Sequence, residues 1–266
     1  MDKAQKGKIA LPQFQRNFVW PRDDIADLLL SILKGYFIGS FLLLRSDADD
    51  TPFAVRPIAG VDIPSSHLRP EWLILDGQQR LTSLHYVLEA PDVPLKFTKN
   101  PYRFFLNLRE LLNGDEDSVI FSLRADQCEE YLNREDQFKK WVLPFTEVPH
   151  WTAWKDAYED WLFDTDRDEH QRYREERRAK WSAALQKLCD FPVPVLEIPR
   201  VKENDQDGIA EVCAIFEKMN STGVRLSVFD LLTARLYRHG INLHALWEKV
   251  IGEHPQLEEF SGGETD

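Results

Sequence analysis

Residues 76–80 read Asp76-Gly77-Gln78-Gln79-Arg80, directly after the apolar run Leu73-Ile74-Leu75. Leu81, Leu84 and Leu88 follow at helical spacing. This is the pattern of a buried strand that passes through a tight turn into a helix N-terminus. Unbonded backbone N–H groups and the positive end of the dipole make such a terminus an anion site. Arg80 adds a planar cationic fork that fits phosphate oxygens. A phosphate-bearing ligand is the chemistry these residues could serve. A structural reading stands beside it: Asp76 caps the helix, Gln79 completes a capping box, and Arg80 is a scaffold residue. The glycine and lysine spacing of a Walker loop is missing, so this is no ordinary P-loop.

Three further segments bear on the choice. Residues 9–20 contain Leu11-Pro12, Phe14-Gln15-Arg16 and Phe18-Val19-Trp20; Ile38-Gly39-Ser40 precedes an apolar strand; and Phe216-Glu217-Lys218-Met219-Asn220-Ser221-Thr222-Gly223 leads to Leu226-Ser227. With Asp76–Arg80, this ordered set resembles the N-terminal domain family of GmrSD-type, modification-dependent restriction systems. That family is related in fold to the ParB and sulfiredoxin nucleotide-binding group. The resemblance covers roughly residues 8–110 and 190–238.

It implies an α/β (α+β) fold with a ParB/sulfiredoxin-like core, a nucleoside triphosphate as ligand, and Mg²⁺ as a candidate companion ion. Gly77, Gln78, Gln79 and Arg80 are then the phosphate cradle, lined also by Asn220, Ser221, Thr222 and Gly223. On residue type alone, that Asn-Ser-Thr-Gly stretch is a helix–turn–helix corner in which Gly223 permits positive φ. Asp76 becomes the catalytic candidate. A bare carboxylate repels a triphosphate, so it serves better as a cap, a metal ligand through water, or a water-orienting base. Phe14, Gln15 and Arg16 are implied to sense a base modification or to close on the nucleotide. Side chains alternate along an extended segment, so one of Gln15 and Arg16 faces the ligand while the other faces away. Hydrolysis is expected at family level, and a non-catalytic module for modified DNA or a nucleotide is the alternative.

The elements that must position these residues follow from periodicity. Pro21 and the early acids Asp23 and Asp24 open a helix whose stripe is Ile25, Leu28, Leu29, Ile32 and Leu33, ended by Lys34-Gly35. Strands are expected at Phe41–Leu44, Trp72–Leu75, Tyr102–Leu108 and Val193–Ile198, with a loop excursion over 46–70 and a helix from Ile209 to Met219. Residues 122–190 are charged, Trp-rich and helical in period. These signals divide the chain into a discontinuous core (1–110 and 190–238), a mostly helical insertion (111–189) and a helical tail (239–266).

Composition bounds the partners. The chain has 266 residues and a net charge of −12. Residues 1–110 hold 14 Lys and Arg against 13 Asp and Glu, so the acidity lies in the remainder. A broad grip on DNA needs a basic face; contact with modified DNA should therefore be weak or local. The seven histidines lack a nuclease-like arrangement of acids, and cleavage is expected from a nuclease domain or subunit outside this chain. Cys128, Cys189 and Cys213 are isolated, without metal-ligand spacing, and are expected as buried thiols. No membrane span or signal peptide is expected, which makes the cytoplasm the default location.

Overall fold

The computed structural model describes residues 2–47, 50–114, 118–202 and 205–219. It opens with α1 (Asp2–Gln5) and β1 (Ile9–Pro12), then α2 (Arg22–Lys34) and β2 (Phe41–Arg45). The excursion after β2 contains a short strand, β3 (Val55–Arg56), where only loop was expected. β4 (Trp72–Asp76) runs into α3 (Gln78–Glu89) with one residue between them. β5 (Tyr102–Asn107), α4 (Leu108–Asn113), β6 (Ile120–Arg124), α5 (Glu129–Leu132), α6 (Arg134–Lys140) and β7 (Val142–Pro144) follow. Next come α7 (Trp151–Thr165), α8 (Arg167–Arg172), a π-helical turn at Tyr173–Arg177, and α9 (Arg178–Cys189). β8 (Val195–Ile198) and α10 (Gln206–Met219) complete the described chain. The fold is mixed α+β.

Two sheets organise it. The first has five strands in the order β3-β1-β4-β2-β8 and the second three in the order β6-β5-β7. In the first, β4 lies parallel to β1 and antiparallel to β2, and β8 lies parallel to β2. The strand at 195–198 thus returns to the sheet begun by residues 9–12. The second sheet is antiparallel throughout. Residues 111–189 are helical for most of their length and also supply β6 and β7, both paired to β5.

β4 is buried on both faces. Leu73 and Leu75 join Leu42, Leu44, Phe53, Val212 and Phe216 on the α10 side, while Ile74 joins Leu11 and Ile58 on the other. Period-two alternation produces this division. α2 is the amphipathic helix its pattern predicts: Ile25, Leu28, Leu29 and Ile32 are buried, and Gly35 ends it at φ 78° with its N–H donating to the Ile32 carbonyl. The largest cluster joins Ile25, Leu29, Tyr86 and Val87 of α2 and α3 to Phe104, Leu106, Phe138, Trp154, Tyr158, Trp181 and Leu185. α3 therefore reaches the cores of both sheets: Tyr86 and Val87 lie in this cluster, and Leu81 packs against the one that holds Leu11 and Ile74. Among the described residues no helix is long and apolar enough to cross a membrane. Cys128 and Cys213 are buried, but Cys189 is exposed, against expectation, because it closes α9 at the surface.

Candidate functional site

The corner between β4 and α3 is built around Gly77. Its φ is 88°, and a Cβ there would come within 2.3 Å of the Phe41 ring, so conformation and space both demand glycine. No side chain caps α3. Asp76 and Gln79 do not form the expected capping box, because each is engaged elsewhere.

Asp76 Oδ2 accepts from Arg80 Nη2 at 3.1 Å, an ion pair whose side chains are 32% and 18% exposed. Arg80 also donates from Nη1 to the Ile38 carbonyl (2.5 Å) and from Nη2 to the Ser40 carbonyl (2.9 Å). Gly39 lies between those carbonyls at φ 91°, where a Cβ would sit 1.8 Å from Arg80 Nη1. The guanidinium thus clamps the 38–40 turn to the corner, which accounts for the Ile-Gly-Ser motif beside Asp-Gly-Gln-Gln-Arg. Arg80 is mostly enclosed, and its fork is met by acceptors of the protein itself.

Gln78 and Gln79 are both buried. Gln79 spends its amide on the 14–20 segment: Oε1 accepts from the Val19 N–H (3.0 Å) and Nε2 donates to the Asn17 carbonyl (2.9 Å). The Gln78 side chain, although buried, has no hydrogen bond to the described residues.

Residues 13–15 form a turn, closed by the Gln15 N–H donating to the Pro12 carbonyl at 3.1 Å, in place of the expected extended segment, and Gln15 and Arg16 still face different ways. Gln15 faces inward and donates from Nε2 to the Leu75 carbonyl at 2.6 Å. Arg16 is exposed, and its guanidinium has no hydrogen bond or ion pair among the described residues. Phe14 packs edge-to-face on Phe53 (5.2 Å between centroids) and Phe216 (6.0 Å), so its place is the core between the N-terminal segment and α10. Arg56, which periodicity did not single out, donates from Nη2 to the carbonyls of Gln15 (2.9 Å) and Arg16 (2.8 Å). Burial pulls the Arg56 guanidinium below its ordinary value. No sequence signal marks it, because the bonded atoms lie forty residues away within a stretch without pattern.

Asn220, Ser221, Thr222 and Gly223 lie outside the described residues, as does the expected tail 239–266. Among the described residues no cluster of three His, Cys, Asp or Glu side chains could hold a metal ion. Mg²⁺ held by phosphate oxygens and water needs one or two carboxylates, and Asp76 at the corner fits that more modest demand.

Comparison with known proteins agrees with the motif set. A family model described as the N-terminal domain of the GmrSD restriction endonuclease matches residues 1–237. An uncharacterized protein of Methanocaldococcus jannaschii is 36% identical over 276 aligned residues, covering 99% of this chain and 45% of that protein. This chain spans less than half the length of that curated relative. With Gly77, Gly39 and Arg80 locked together as described and the match running over most of the sequence, the chain belongs to the family of GmrSD restriction endonuclease N-terminal domains.

Proposed function

We propose that this chain is the nucleotide-binding, NTP-hydrolysing sensor of a modification-dependent DNA restriction system. The observation that carries the reading is the start of α3: a helix at the end of a buried strand, with no side-chain cap. Its first N–H groups then donate to phosphate oxygens, with Gln78 beside them. The kinship to ParB and sulfiredoxin folds implied by the motif set supports a phosphate-holding turn at this kind of corner.

Asp76 fits such a ligand because Arg80 answers its charge at 3.1 Å. An isolated carboxylate there would oppose a polyanion. Held by Arg80, it can orient water as a base or hold a metal through water. Mg²⁺, when bound with the triphosphate, supplies charge neutralisation at the phosphates. Arg80 acts by holding the corner in shape. Arg16, exposed on the neighbouring segment, is the cation that answers modified DNA. Cleavage belongs to a nuclease domain or subunit elsewhere; the greater length of the Methanocaldococcus relative is compatible with such a division.

The test is nucleoside triphosphate turnover by purified protein with Mg²⁺, alone and with modified or unmodified duplexes. Turnover raised by modified DNA is the expected result. Binding without turnover assigns the non-catalytic recognition module instead, and no binding overturns the nucleotide site.

A further inference from the structure

The backbone of residues 15–19 is held in a way surface loops seldom are. Loops usually leave their peptide groups to water. Here the carbonyls of Gln15 and Arg16 accept from Arg56 at 2.9 and 2.8 Å. The Asn17 carbonyl accepts from Gln79 Nε2, and the Val19 N–H donates to Gln79 Oε1. The Gln15 side chain ties the same stretch to the end of β4. Four backbone groups within five residues are thus bonded by two side chains, one on β3 and one in the first turn of α3.

The arrangement is costly. Arg56 is half-buried, its charge is met by carbonyl oxygens, and no carboxylate among the described residues pairs with it. Gln79 is a buried amide in a helical turn where an apolar residue would serve the core as well. What these tethers hold outward is Arg16, a cation with no internal partner, together with the exposed Asn17.

We infer that Arg56 and Gln79 are positioning residues for Arg16, and that Gln79 couples the start of α3 to the segment carrying it. This rests on the proposed reading, in which α3 holds the nucleotide and Arg16 answers modified DNA. Coupling requires a physical element that both sites bias. The Gln79 amide is that element: its backbone belongs to the helix turn at the phosphates, and its side chain is bonded to the DNA-facing segment.

The experiment has two arms, run on the full chain. The first measures tryptic cleavage after Arg16, read as appearance of the fragment beginning at Asn17. Loss of a tether should raise its rate by at least about tenfold in Gln79→Ala and in Arg56→Ala. The second measures stimulation of hydrolysis by modified duplex for Gln79→Ala, Arg16→Ala and the double variant. Each single variant should lose at least about fivefold of the stimulation, the lower end of ordinary coupling. The double variant should be no worse than Arg16→Ala alone, because the tether acts through that side chain. Where an alanine variant fails to fold, Arg56→Lys and Gln79→Glu replace it. Gln79→Glu keeps the acceptor for Val19 and loses the donor for Asn17, so it should fall between wild type and alanine.

Cleavage rates equal to wild type overturn the tether. Additive losses in the double variant overturn the positioning role, even if both singles are impaired. Absence of nucleotide binding or of DNA stimulation in the wild-type protein is a different failure: it sinks the functional reading and the coupling together, and leaves the tryptic arm to decide the tether.

Discussion

At the scale of single residues, Arg80 distinguishes ligand chemistry from scaffold chemistry. Its fork meets two carbonyls and a carboxylate, all supplied by the protein. Charge-assisted bonds contribute about 1.5–3 kcal/mol each, and removal strands the oxygens left behind. Arg80→Ala should therefore lower unfolding free energy by roughly 2 kcal/mol or more, read from urea denaturation, and should weaken nucleotide binding through a disordered corner. Arg80→Lys should rescue little, since one ammonium cannot span three acceptors set for a planar fork. Gly39→Ala should mimic the defect, because its Cβ would collide with the same guanidinium. An Arg80→Ala protein as stable as wild type that has merely lost nucleotide affinity would return Arg80 to the role of phosphate ligand.

At the scale of elements, the strand–turn–helix corner is rigid because β4 is buried on both faces, whereas α7, α9 and the π-helical turn are held by rings. Tyr158, Tyr173 and Trp181 lie within 5.1–5.4 Å of one another by ring centroid, and each is fully buried. Burial pushes both phenols well above their ordinary value, so they stay neutral. Neither hydroxyl has a hydrogen-bond partner among the described residues. Tyr173→Phe should then leave stability unchanged or raise it by up to about 1 kcal/mol, since the ring contacts survive and a stranded polar group goes. Gln137→Leu, by contrast, should cost about 1–3 kcal/mol. Its Oε1 receives the buried Trp154 indole N–H at 2.9 Å, and its Nε2 donates to the Tyr131 carbonyl. Urea denaturation of both variants checks the pair, and a Tyr173→Phe loss above about 1 kcal/mol would mean the hydroxyl is bonded after all.

At the scale of the whole molecule, α3 carries both the corner and the contact between the two sheets, so a perturbation within it should be felt globally. His85 lies on its buried side with Nδ1 unbonded among the described residues. Burial lowers its affinity for a proton, and Glu89 offsets this only in part. The neutral form is therefore the folded form. Its contribution is fully present above the unfolded value of about 6.5 and is lost as pH falls below it through the depressed folded value. Wild type should lose stability between pH 7 and pH 5 more steeply than His85→Gln, measured by urea denaturation across that range. Parallel slopes would show that His85 does not sense pH.

Much of the fold was legible because local chemistry dictates it. The stripe Ile25-Leu28-Leu29-Ile32, the stop at Gly35, the apolar run before Asp76 and the return strand ahead of Ile198 each declare themselves through periodicity or a backbone requirement. The motif set likewise announced the family before any coordinate. Tertiary structure decided what each polar group bonds to. Gln79 could have been a cap, a ligand or a tether, and its partners at Asn17 and Val19 lie about sixty residues away. Arg56 carried no pattern at all, and nothing in the neighbours of Phe14 announced its contacts with Phe53 and Phe216. The physical reason is one of range. Hydrophobic period and turn chemistry are written in neighbours, whereas a guanidinium or an amide takes its role from whichever carbonyl the folded chain brings within 3 Å.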